Sequence, residues 1–194
     1  MRTNPILATL AGVSAAAVLF ATTPAQGAAP VAAGLSKADQ QIVMDLAQGN
    51  MAEIAVGKMA LGKSQNEQVK TFAQQMIDDH TTALAAVRQL ATAKGLSMPT
   101  DIDKTHKKMT GQLDAKSGEA FDNAYMAQGG VADHQKIHSM LAAAEKKARD
   151  PDLKALAAKM LPTVDQHLKA ARQMGSRKGM AQRDKLPAAT DAGR

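Results

Sequence analysis

The sequence predicts an all-α protein in which four long helices pair as two antiparallel hairpins joined by a long crossover. Aromatic residues are only 2% of the 194-residue chain, while alanine and twelve methionines supply most of the apolar bulk. That composition suits helices and not the pleated, half-buried faces of strands. Apolar residues recur every three or four positions through four long stretches, the period of one helical face. The connections between these stretches are short, long and short, which settles how they pair.

The first helix is predicted from about Lys37 to Leu61, with Ser36 as N-cap and Gly62 as its stop. Ser64 and Glu67 have capping-box spacing, so the second helix continues to Lys94 and closes at Gly95. "GLSMPTDIDKTHKKMTGQLDAKSG" follows, a polar connection with Pro99 near its start and at most a short helix from about Lys104 to Leu113. The third helix is expected from about Ser117 to Arg149. In "RDPDL" Asp150 is placed as N-cap and Pro151 as a first-turn proline, so the fourth helix runs to Met174 and stops at Gly175.

Helices one and two are joined by about three residues and helices three and four by about two, so each pair must be antiparallel. The middle connection of roughly 21 residues can span up to about 70 Å, enough to run back along a helix of about 46 Å. One long crossover between two hairpins is the ferritin-like four-helix bundle. The bundle domain is assigned to residues 36–175, after a linker over 28–35.

The opening "MRTNPILATLAGVSAAAVLFATTPAQGAAP" has Arg2, an uncharged apolar run from Ile6 to Ala21 and small residues around Gly27. This is the pattern of a secretory signal peptide, assigned to residues 1–27, and the run is short for a spanning helix. Export to the periplasm or envelope of a bacterium is the expected localisation, with no stable membrane insertion after the signal is removed. The chain has no cysteine, so disulfides and thiolate metal sites are excluded.

The net charge is +6, and its distribution decides what it means. From Arg177 onward the tail carries Arg177, Lys178, Arg183, Lys185 and Arg194 against Asp184 and Asp191, half of the total. The rest is nearly balanced and lacks stacking aromatics, so nucleic-acid binding is not expected. Residues 176–194 read as a disordered basic tail suited to weak contact with an anionic membrane surface. No nucleophile and base pair, glycine-rich phosphate loop or organic-cofactor motif is present, which removes hydrolase, kinase and dehydrogenase readings.

What remains is a polar set on the apolar stripes. The second helix gives Val69, Phe72, Met76, His80, Leu84 and Val87; the first gives Ile42, Leu46, Gly49, Glu53, Val56 and Ala60. The fourth gives Leu153, Leu156, Met160, Val164, His167, Ala171 and Met174, and the third Ala124, Val131, His134, Ile137 and Leu141. Each helix thus turns one potential ligand inward, and burying these groups without partners costs several kcal/mol. Counted from the connecting turns, His80, His134 and His167 each fall 17 residues in, near mid-height. Glu53 falls about 10 Å nearer the first turn, level with Tyr125, with which it is expected to hydrogen bond.

Three imidazoles at one level are the donor pattern of a zinc, copper or iron site with an open or carboxylate fourth position. Glu53, Asp79 and His138, the last one turn from His134, complete the candidate ligand set. His106, among lysines in the crossover, is read as solvated, and the methionines as core filler.

Glu53 in "NMAEIAVGKMAL", Asp79 and His80 in "VKTFAQQMIDDHT", "MPTDID", His134 in "FDNAYMAQGGVADH" and His167 in "LKALAAKMLPTVDQHLKAA" together resemble an exported bacterial ferritin-like family, domain of unknown function forty-one forty-two. The resemblance covers about Leu35 to Met174 and implies a ferritin-like fold with a metal site. The Glu-x-x-His pair of di-iron proteins is missing, because Ile77, Val131 and Val164 stand three residues before the histidines. A di-iron oxidase or iron-storage cage is thereby disfavoured. The function expected is an exported bundle that binds a transition metal through core histidines. The alternative is a non-catalytic envelope or stress-response protein with a polar, metal-free core, and no reaction or oligomeric state is assigned.

Overall fold

Five helices run through residues 34–183, the part of the chain that the computed structural model describes, with side chains described as far as residue 175. They are α1 (Lys37–Lys63), α2 (Glu67–Ala93), the short α3 (Lys104–Asp114), α4 and α5 (Pro151–Arg183). Helix α4 is built of three successive pieces: Gly118–Tyr125, a π-helical segment Met126–Asp133, and His134–Lys147. Helices α1 and α2 pack as one hairpin, α4 and α5 as the other, and α3 lies in the crossover. No helix among the described residues is long and apolar enough to cross a membrane.

The caps explain most boundaries. Ser36 Oγ accepts from the Asp39 amide at 3.1 Å, and Asp103 Oδ1 accepts from the amides of Thr105 and His106 at 2.7 and 3.0 Å. Asp150 Oδ1 takes the Asp152 and Leu153 amides, both at 3.0 Å, directly before Pro151. Gly95 closes α2 in the left-handed region at φ 67°, where a Cβ would be strained.

Three boundaries differ from expectation, the first being that α1 runs through Gly62, its expected stop, to Lys63. Helix α2 is capped by Asn66, whose side chain accepts from the Gln68 amide at 2.9 Å. Ser64 instead ends α1 and braces the turn by accepting from the Asn66 amide at 3.0 Å. At the other end, the backbone of α5 continues through Gly175 to Arg183. A glycine that stays right-handed weakens a helix by about 1 kcal/mol without stopping it. The signal peptide assigned to residues 1–27 and the tail beyond Arg183 lie outside the described residues, as does most of the linker.

Polar clamps close one end of the bundle. The buried Asp39 carboxylate accepts from the Arg149 and Asp150 amides at 3.1 Å, tying the start of α1 to the turn between α4 and α5. Lys94 reaches Asp150 and Asp152, each at 2.7 Å, and ties the end of α2 to the same turn.

The core is divided in two. One cluster includes Val43, Leu46, Leu84, Val87, Leu90, Ile137, Leu141 and Leu153. The other includes Val56, Val69, Phe72, Met76, Leu113, Phe121 and Tyr125. In sequence, Asn50, Glu53 and His80 fall between the two sets on α1 and α2, as do Asp133 and His134 on α4, all of them buried. A polar stratum that interrupts a hydrophobic core must satisfy its own donors and acceptors, since water is not there to do so.

Candidate metal centre

His80 stands on α2 where the stripe placed it: Val69, Phe72, Met76, His80, Leu84 and Val87 are all buried. His167 is buried on α5 with Leu153, Val164 and Ala171. The α4 stripe is different. Downstream it is His134, Ile137, Leu141 and Ala144, but upstream it is Phe121 and Tyr125 in place of the expected Ala124 and Val131. The π-helical segment between them accounts for this, because π-helical turns hold more residues and shift the register of the face.

The three rings converge. His80 Nε2 lies 3.4 Å from His134 Nε2, His134 Nε2 lies 3.2 Å from His167 Nδ1, and one ligand atom from each ring falls within 4.8 Å of the others. The outward nitrogens carry the decisive information. His80 Nδ1 is 2.9 Å from Asn50 Oδ1, His134 Nδ1 is 2.7 Å from the Gly129 carbonyl, and His167 Nε2 is 2.8 Å from Asp79 Oδ2. A carbonyl and a carboxylate only accept. Asn50 Nδ2 donates to the Leu46 carbonyl at 2.6 Å, which leaves its Oδ1 as the acceptor facing His80. Each ring's one proton is therefore committed outward, and the three inward nitrogens present lone pairs to one another.

Burial keeps the rings neutral. It holds His134 at about 4, against the smaller opposing effect of the Gly129 carbonyl. Burial and the neighbouring imidazoles hold His80 well below the ordinary histidine value. His167 is also lowered by burial, with Asp79 pulling the other way. Three neutral rings without a shared proton repel through their lone pairs, and a cation between them removes that repulsion. Two nitrogens bound at about 2.0 to 2.1 Å in a tetrahedral set are about 3.3 Å apart, close to the spacing of His134 from each of the other two rings.

The other expected ligands are elsewhere. Asp79 touches the group only through His167. His138 turns to the surface and faces Asp165 at 3.0 Å. Glu53 sits one turn from Asn50, about 4.5 Å along α1 and not 10 Å, because Asn50 and His80 each lie 13 residues from the hairpin ends of α1 and α2. Glu53 and Tyr125 are neighbours across Gly129, where a Cβ would meet the Tyr125 ring at 3.5 Å and Glu53 Oε2 at 3.6 Å. The expected hydrogen bond does not form, and both Glu53 oxygens and the Tyr125 hydroxyl lack one. Burial, and then the Asp133 carboxylate, raise Glu53 well above the usual carboxyl range.

His106 is not solvated. It is 4% exposed and lies between Asp103, 2.5 Å from Nδ1, and Asp133, 3.5 Å from Nε2. Helix α3 turns the face of His106, Met109 and Leu113 inward, so the lysines around His106 take the solvent side. Asn50, Gly129 and Asp133 carry no weight in the sequence reading. Asn50 had a signal, an amide four residues after Leu46 and three before Glu53 on an inward face; the doubled glycine of "AQGGV" was the other.

Fold and site together define a helical-bundle protein with a buried three-histidine cluster. The chain belongs to the family described as Domain of unknown function (DUF4142), which it matches over residues 23–174, in agreement with the resemblance of its motifs. No curated protein matches it. Among solved structures it is similar to the crystal structure of a DUF305 fragment from Deinococcus radiodurans, at 16% identity and a TM-score of 0.65, over 74% of this chain and 99% of that one. It is similar also to CopM in the Cu(II)-bound form, at 16% identity and a TM-score of 0.61, over 72% and 96% of the two chains. At these identities the likeness shows the helical fold alone.

Proposed function

We propose that His80, His134 and His167 hold one divalent transition-metal ion, and that binding this ion is the function of the bundle. The observation that carries the reading is the convergence of three inward lone pairs whose outward N–H groups are all engaged. Outer partners of this kind fix the tautomer and aim of metal-bound imidazoles. Neutral rings are ready to bind at neutral pH without first losing protons.

Copper(II) is the favoured ion. An all-imidazole set suits zinc and copper, and copper stands at the peak of divalent affinity; the similarity to a Cu(II)-bound bundle points the same way. Hairpins joined by the α3 crossover support a ferritin-like arrangement. The apolar leader over residues 1–27 supports export to a bacterial periplasm or envelope, where the basic end of the chain would meet anionic lipid.

Isothermal titration of untagged protein with copper(II) and zinc(II) tests the reading. One ion per chain in the wild type, with His134→Ala abolishing tight binding at unchanged helical content, is expected. Equal binding by the variant would assign the ion elsewhere, and no binding would leave a metal-free polar core.

A further inference from the structure

Three histidines leave a four-coordinate ion with one position unfilled, and among the described residues no further His, Asp or Glu joins the group. What lies beside that position is therefore informative. A cavity of about 140 Å³ opens between α2 and α5, and its wall includes His80 and His167 but not His134. It reaches from the exposed Thr82 and Lys159 inward to the two buried rings. Much of the lining is aliphatic, including Ala83, Ala86, Leu46 and Val164, and beside the two rings it includes Asn50 and Asp79.

These features decide the class of ligand. The cavity holds several times the roughly 30 Å³ of one water, and its mostly apolar wall, with few polar groups beside the rings, suits a small ligand better than a large hydrated ion. A ligand of two or three atoms fits the space, and the ion compensates any charge it carries. Thr163, half-buried on α5 one turn before His167, places a hydroxyl in the same wall.

We propose that the fourth coordination position of the metal is open to the α2/α5 cavity and takes a small exogenous ligand of dioxygen size. This rests on the metal-centre reading above and adds to it an access route and a ligand class. The cavity serves as the passage by which the ligand reaches the ion, past Asn50 and Asp79, which hold the outer nitrogens of His80 and His167.

Azide, a three-atom probe, tests it on the copper(II)-loaded full chain. A single azide per copper, seen as a new charge-transfer band and a changed copper paramagnetic resonance spectrum, is expected. The double variant Ala83→Leu with Ala86→Leu fills the passage from α2 and is expected to keep copper(II) while losing about tenfold in azide affinity, a change of about 1.4 kcal/mol. Thr163→Leu fills it from α5 and gives the same loss if the double variant does not fold. Loaded wild type that gives no azide band, or filled variants that bind azide as the wild type does, would overturn the open-position proposal and leave the metal centre standing. A protein that takes up no copper shows no copper resonance at all, and that result would remove the metal reading itself.

Discussion

His134 Nδ1 donates to the Gly129 carbonyl, 2.7 Å away, within the π-helical passage of α4. The bond ties a ring nitrogen to the backbone that changes register. The same segment lets α4 bury Tyr125 on one side and His134 on the other, which an unbroken α-helix with this sequence does not do. Its glycines permit close approach: a Cβ on Gly130 would meet Ala171 at 3.1 Å and Met126 at 3.3 Å. Inserting one alanine after the exposed Ala127 is expected to rotate His134 by about 100° against the upstream half, and to abolish copper binding while circular dichroism stays helical. Unchanged copper affinity in this variant would show that the segment does not aim the ring.

The Asn50 amide holds His80 from α1. Asn50→Leu removes the acceptor while keeping the branched outline of the side chain, so the His80 ring is free to take the other tautomer. Loss of such an outer partner weakens metal affinity by about 10-fold to 100-fold. Competition titration with a chelator of known affinity measures this, and an unchanged affinity would mean that packing alone orients His80.

Acid should unfold the metal-free protein in a defined window. His80, His134 and His167 have folded values below the unfolded value of about 6.5, so the stability tied to their neutrality is complete above about 6.5 and is lost as pH falls. For His134, with a folded value of about 4, the loss amounts to about 3 kcal/mol by pH 4. His106 opposes this: Asp133, then Asp103, raise its value, so its contribution is present below about 6.5 and fades as pH rises through the folded value. Urea unfolding of the metal-free protein between pH 7 and 4 is expected to show a net decline that His134→Leu makes shallower. A profile unaffected by the substitution would deny that His134 is buried neutral.

Glu53 has the opposite sign. Its raised value keeps it protonated in the fold, and the unfolded chain ionises above about 4.5. Its contribution is full below that value and is lost as pH rises toward the folded one. Glu53→Gln keeps the shape and supplies a permanent donor toward Asp133, so its melting temperature at pH 7 should equal or exceed the wild type's. Glu53→Ala opens a cavity and should cost about 2 kcal/mol or more. A glutamine variant as damaged as the alanine one would show that Glu53 acts as a carboxylate.

The inward histidines were legible because α2 and α5 keep one helical period along their whole stripes, so His80 and His167 could be placed from spacing alone. Gly95, Pro151 and the Asp150 and Ser36 caps gave their boundaries, whereas α1 and α5 run through Gly62 and Gly175, which were expected to stop them. The upstream half of α4 was not legible, since nothing in a 3.6-residue period announces a π-helical register shift, and Ala124 took the place that Tyr125 holds. Asn50 and the Gly129 carbonyl escaped for a related reason. Their roles depend on which ring nitrogen faces them across the bundle, a property of three-dimensional register rather than of local pattern. His106 was misjudged because lysines flank it in sequence; its local partner Asp103 was readable as the N-cap three residues before it, but Asp133 meets it only after the crossover folds back.

The most direct measurement is the anomalous difference density of a crystal of the copper-loaded protein, recorded at the copper absorption edge. A single strong peak is expected at about 2.0 to 2.1 Å from His80 Nε2, His134 Nε2 and His167 Nδ1, with the bonds to Asn50, Gly129 and Asp79 retained. Density at His138 and Asp165, or no density between the three rings in protein shown to contain copper, would contradict the account.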